Sequence, residues 1–132
     1  MPSRSDLSPR AMREFLDHVN LVDVISEPRI SFRVSLQGAQ SRGVFGHMAK
    51  QRLGDILPPF FEKRWTESFE VPRSSETPVR LTTRASTFGR KWLGCEALLA
   101  PLGDGPNYVT TIFWVFASWR IEEAVGASAE AP

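Results

Sequence analysis

Little in this chain can bind a metal or form a cross-link. It has one cysteine, Cys95, and two histidines, His18 and His47. A single thiol cannot close an internal disulfide, and a four-ligand zinc site would need ligands that the two histidines barely begin to supply. A reducing compartment is the simpler setting for such a sequence. Long apolar runs are also missing. The longest, Ile112 to Ala117, is far too short to cross a bilayer, and the polar start from Met1 to Asp6 lacks the apolar core of a signal peptide. The expected location is therefore the cytoplasm. Neither sign of charge predominates: sixteen basic residues face fifteen acidic ones, for a net charge of +1. That balance removes the broad positive field of a nucleic-acid binder and of a polybasic membrane contact, so neither partner is expected.

The motifs of catalysis are missing as well. The chain has no Gly-x-Ser-x-Gly elbow, no phosphate loop and no paired histidine ligands. Asp23 and Glu96 are single carboxylates without an evident partner acid, so no nucleophile with an oriented base can be named. No catalytic residue and no metal ligand is assigned, and a non-enzymatic role is expected.

What the chain does have is a regular alternation of structural signals within 132 residues, the length of one domain. Leu7-Ser8-Pro9 reads as a helix start, with Ser8 as cap and Pro9 at the first helical position. Met12, Phe15, Leu16 and Val19 follow at helical spacing, and Asn20 reads as the stop. Leu21 to Ile25 is a short strand. Ile30, Phe32, Val34 and Leu36 alternate with polar residues up to Gly38. Gly43, Gly46 and Gly54 break the stretch from Ala39 to Leu57 into short helical pieces. Pro58-Pro59 opens a longer helix with Phe61, Trp65 and Phe69 as an apolar stripe that Phe60 broadens, ended by Pro72.

Three strands follow. Val79 to Ala85 and Leu93 to Leu99 alternate, and Tyr108 to Trp119 is apolar on both faces, as befits a strand covered on both sides in mid-sheet. The pairing that puts Val79 opposite Leu99, Leu81 opposite Ala97, Thr83 opposite Cys95 and Ala85 opposite Leu93 leaves Glu96 on the other face, near Arg80 and Arg84. A one-residue slip would drive Glu96 into the core. The expected fold class is α+β: a five-stranded antiparallel sheet with helices on one face and the N-terminal helix on the other. Residues 1–7 and 120–132 are expected to be flexible ends around a domain spanning 8–119.

These residues resemble the PAS fold family, and within it a group of short, stand-alone bacterial PAS-like proteins that carry no effector domain. The resemblance rests on Phe32-Arg33-Val34-Ser35-Leu36-Gln37-Gly38, on Gly89-Arg90-Lys91-Trp92, and on Glu96-Ala97-Leu98-Leu99-Ala100-Pro101-Leu102 followed by Gly103-Asp104-Gly105. Lys50-Gln51-Arg52 departs from it, standing where the group often has a glycine before a leucine. The resemblance implies a sensing or interaction role without naming a ligand. No cofactor signature accompanies it. Cys95 lies in a strand and lacks the Asn-Cys-Arg-Phe context of a flavin-reactive thiol, which suits a small core residue. The helix after Pro59 has no histidine to serve as an axial haem ligand.

Phe45, Trp65, Phe69 and Leu81 suit a dry core and equally an apolar ligand pocket, and His47, after Gly46, joins the candidate pocket set or stays at the surface. Trp114, Phe116 and Trp119 give the last strand more aromatic surface than a half-exposed sheet needs. Either the first helix, through Phe15, or a second subunit covers it, and a homodimer through that face is expected. The leading reading is a sensory or protein-interaction module, with a small ligand or a protein partner in view. The alternative is a small α+β-cone enzyme of the isomerase or dehydratase kind, which needs an acid–base pair deep in an apolar pocket.

Overall fold

The computed structural model describes residues 1–8, 10–85, 90–103 and 108–120. Strands β1 (Val19–Ile25), β2 (Ser31–Leu36), β3 (Val79–Ala85), β4 (Arg90–Gly103) and β5 (Val109–Arg120) form one sheet. Its order is β2-β1-β5-β4-β3 and the neighbouring strands are antiparallel. Between β2 and β3 the chain forms α1 (Ala39–Phe45), the single turn α2 (Leu53–Ile56) and α3 (Pro59–Ser75). The α+β class and the central place of the last strand are as expected, because β5 pairs with β1 on one side and β4 on the other.

The alternation of each strand sorts its side chains between two faces. On the face covered by α1 and α3 lie Val22, Phe32, Val34, Cys95, Leu99, Ile112, Trp114 and Phe116, packed with Val44, Met48, Leu53 and Phe69 from the helical segment. The β3–β4 register is the expected one through Val79–Leu99, Leu81–Ala97 and Thr83–Cys95. Beyond Arg84 it departs: Ala85 meets Arg90 rather than Leu93, which is held opposite Arg120 of β5. The bulge arises because β4 stays in step with the long central strand while β3 ends. On the opposite face Glu96 sits across from Thr82, and Arg80 donates to its Oε2 at 2.6 Å. Phe88 and Gly89 of the expected Phe88-Gly89-Arg90 turn, most of the turn before Tyr108 and the tail from 121 onward lie outside the described residues, while Arg90 opens β4.

The N-terminal helix is where expectation and structure part. The segment forms two short 3-10 turns, Arg4–Asp6 and Arg13–His18, that bury no residue. Phe15 and Leu16 remain 56% and 42% exposed. The reason is competition for Val19 and Asn20. The helical pattern needs them as its last turn, but they pair with Val115 and Trp114 as the start of β1. What remains is too short and too polar to sustain an α-helix. Residues 1–7, expected as a flexible end, make contacts with the sheet. Arg4 donates to Asp23 Oδ1 at 2.9 Å and to Ser35 Oγ at 3.4 Å, residues whose register places them opposite the helix-covered face. The Gly103 amide donates to the Pro2 carbonyl at 2.9 Å. The outer face is thus partly covered by a short segment with a single 3-10 turn rather than by an α-helix.

Two details of the helices also differ. Pro72 does not end α3 but lies within its last turn, although a proline there has no N–H to give to the carbonyl four residues earlier; its own carbonyl accepts the closing bond from the Glu76 amide at 2.9 Å. Phe60, expected to broaden the buried stripe, is 65% exposed.

Asn20, expected as a helix stop, joins the elements. It is fully buried on the helix-covered face. Its Oδ1 accepts from the Gly38 amide at 2.8 Å and from Ser41 Oγ at 2.6 Å. Its Nδ2 donates to the carbonyls of Trp114 at 3.2 Å and His18 at 3.4 Å. One amide therefore ties β1 to β5 and fixes the start of α1, which seats Phe45 over the sheet. His18 is likewise tied to β5: its Nδ1 lies 2.9 Å from the Phe116 carbonyl.

Candidate functional site

A cavity of about 340 Å³ lies between α3 and strands β3, β4 and β5, at the small end of the range typical of ligand pockets. The stripe of α3 supplies Phe61, Trp65 and Phe69, spaced so that one helix face looks onto the sheet. The sheet supplies Leu81, Thr83, Cys95, Ala97, Leu99, Trp114 and Phe116, and α1 closes one end with Phe45. Gly46, with φ of +80° and ψ of −173°, stops α1 immediately after Phe45, an extended positive-φ conformation natural to glycine.

The aromatic rings meet largely edge to face. Phe45 and Trp65 lie 4.9 Å apart at 82°, Trp65 and Trp114 lie 5.8 Å apart at 86°, and Phe69 and Trp114 lie 5.7 Å apart at 68°. Phe116 adds contacts of 5.1 Å to Phe45 and 5.9 Å to Trp114. Such arrangements hold rings in fixed orientations beyond what burial alone does. Polar groups border the cavity at Arg64 and Ser68, one turn apart on α3, and at Thr82, Thr83 and Glu96. The Cys95 thiol is buried in the wall, and burial pushes its pKa up, which disfavours the reactive thiolate.

Of the residues expected to line a pocket, Phe45, Trp65, Phe69 and Leu81 do so together. His47 does not: it is exposed just beyond Gly46. The expected interface set of Phe15, Trp114, Phe116 and Trp119 is divided by the structure. Trp114 and Phe116 belong to the cavity wall on the helix-covered face. Trp119, of the opposite parity along β5, lies on the other face across from Gly94, where a Cβ would approach its indole to 2.6 Å.

The acid–base pair required by the enzymatic alternative is not assembled: Asp23 is bound to Arg4, Glu96 to Arg80, and His47 is apart from both. Arg64, Ser68 and Thr83 carried no sequence signal as pocket residues. Their only available marker was helical or strand parity with Trp65, Phe69 and Leu81.

The topology agrees with the comparison against protein families. A PAS domain family matches residues 1–116. The chain belongs to the PAS domain family. PAS domains are generally sensory or interaction modules rather than enzymes. The match covers all five strands except the last four residues of β5, and it includes the N-terminal segment that lies on the outer face. No curated protein matches the chain. None of the helices is long and apolar enough to span a membrane among the described residues.

Proposed function

We propose that this PAS domain is a cytoplasmic sensory or protein-interaction module that holds a small apolar ligand between α3 and the sheet and signals through a partner or a second copy. The aromatic cavity carries this reading. A core whose only task is to be dry fills its interior at high packing density, whereas here ten apolar side chains from α1, α3 and three strands surround about 340 Å³. The route outward runs through Trp114 and Phe116, whose strand presents Phe113, Val115 and Trp119 to the opposite face. Leu98, across from Val115, is 43% exposed there and Trp119 is 44% exposed. That surface suits a homodimer or a protein partner.

Native mass spectrometry of the protein purified from its own host tests both parts. A noncovalent small-molecule mass on the native chain, absent from an Ala97→Phe variant that fills the cavity, is the expected result. A chain without any adduct, whose melting temperature responds to none of a panel of small apolar compounds, would remove the ligand-binding reading. A monomer at micromolar concentration would remove the homodimer.

A further inference from the structure

Resting on the pocket reading above, we propose that the cavity takes a small hydrophobic carboxylate, with its apolar body among the aromatic rings and its anionic head at Arg64. The lining is asymmetric in charge. Arg64 is the one cationic side chain that borders the cavity among the described residues. Its guanidinium forms no ion pair with a described carboxylate, and its Cζ lies 6.0 Å from the centroid of the exposed Phe60 ring. Glu96 is the one carboxylate-bearing residue in the lining, but its register position belongs to the other face, where Arg80 holds it at 2.6 Å.

An incoming anion therefore meets an unmatched cation, while an incoming ammonium finds no unpaired carboxylate among the described lining residues. Arg64 is exposed at the rim, so the head group keeps part of its hydration and avoids the cost of a buried charge. Inside, Trp65, Trp114, Phe45 and Phe116 offer ring faces and edges to a flat or unbranched body. The volume of about 340 Å³ limits that body to a size near a single substituted ring. Ser68, one turn beyond Arg64, borders the same rim, but its hydroxyl already donates to the Arg64 carbonyl at 3.1 Å, so the head group rests on Arg64.

Three isosteric probes separate the charge from the pocket: 3-phenylpropionate, 3-phenyl-1-propanol and 3-phenylpropylamine, titrated calorimetrically into the full chain. The expected order of affinity is carboxylate, then alcohol, then amine. Arg64→Gln weakens carboxylate binding roughly 3- to 10-fold, as for a charge-assisted contact near solvent, and leaves the alcohol unchanged. Arg64→Lys retains most of the carboxylate preference, and Ala97→Phe abolishes binding of the carboxylate and the alcohol. If the alcohol binds as tightly as the carboxylate, or Arg64→Gln leaves carboxylate affinity intact, the anion assignment is overturned while the pocket stands. If Ala97→Phe binds the carboxylate as the parent does, the site lies elsewhere and the assignment also falls. If none of the three probes binds, the pocket reading falls with it.

Discussion

Replacing Asn20 should destabilise the fold more than its single side chain suggests. The residue is fully buried and its amide makes four hydrogen bonds. Asn20→Leu keeps the approximate volume and removes every one of them. Ser41 retains its bond to the Gly38 carbonyl at 3.2 Å, but the buried Gly38 amide loses its acceptor and the Trp114 carbonyl loses a donor. An unsatisfied buried group costs about 1–3 kcal/mol. With one donor fully stranded and one carbonyl partly so, the expected loss is roughly 2–4 kcal/mol, a large share of a typical domain's stability. Thermal unfolding should shift by about 4 °C for each kcal/mol in a chain of this size.

Asn20→Asp sharpens the test. The aspartate keeps the acceptor for Gly38 and Ser41 but sets a second oxygen against the carbonyls of Trp114 and His18. Only its protonated form can donate to them, so its folded pKa should lie above the usual value of about 3.9. The folded state then binds the extra proton, and stability should fall as pH rises through that range. Urea unfolding of parent and both variants at pH 5 and pH 7.5 measures this. An Asn20→Leu variant within about 0.5 kcal/mol of the parent, or an Asn20→Asp variant with the parent's pH dependence, would refute the account of the network.

Three other expectations concern the sheet. Gly38→Ala should cost about 1–3 kcal/mol, because its Cβ would stand 2.6 Å from the Asp17 carbonyl oxygen and 2.8 Å from that of Val19, both rigid backbone; chemical denaturation reads this directly. Cys95 should add a pH dependence of opposite range. Burial raises its pKa, so its contribution is complete below the unfolded thiol's value of about 8.5 and is lost as pH rises toward the folded value. Cys95→Ala should therefore remove part of the alkaline decline seen in unfolding curves between pH 7.5 and 9.5, and an identical slope in both proteins would contradict it. Arg80→Ala should change stability by less than about 1 kcal/mol, since Arg80 is 71% exposed where it meets Glu96; a larger loss in urea unfolding would mean that the pair acts beyond its Coulomb attraction.

Alternation with a period of two settled most of the sheet from the residues alone. Glu96 is the informative case: one carboxylate among apolar neighbours fixes the β3–β4 register because only one parity keeps it out of the core. The stripe Phe61, Trp65 and Phe69 fixed the inward face of α3 for the same kind of reason, at a different period. These local patterns also brought Trp65, Phe69 and Leu81 of the expected pocket residues to one place. His47 had no such pattern behind it, and it lies outside.

What the sequence could not decide was any choice between two surfaces or structures of equal local merit. β5 is apolar on both faces, so parity separates Trp114 and Phe116 from Trp119 without saying which set meets the helices. That choice came from pairing: Asn20 and Val22 of β1 and Ala97 and Leu99 of β4 share the face of Trp114 and Phe116. Val19 posed the same problem at the N-terminus, where it completes a helical stripe and equally begins a strand. The helix offered it a few contacts along its own chain, while β1 offered a ladder with β5 and burial to 1% exposure. Long-range pairing outweighs a marginal local helix, and no window of sequence contains both partners of that contest.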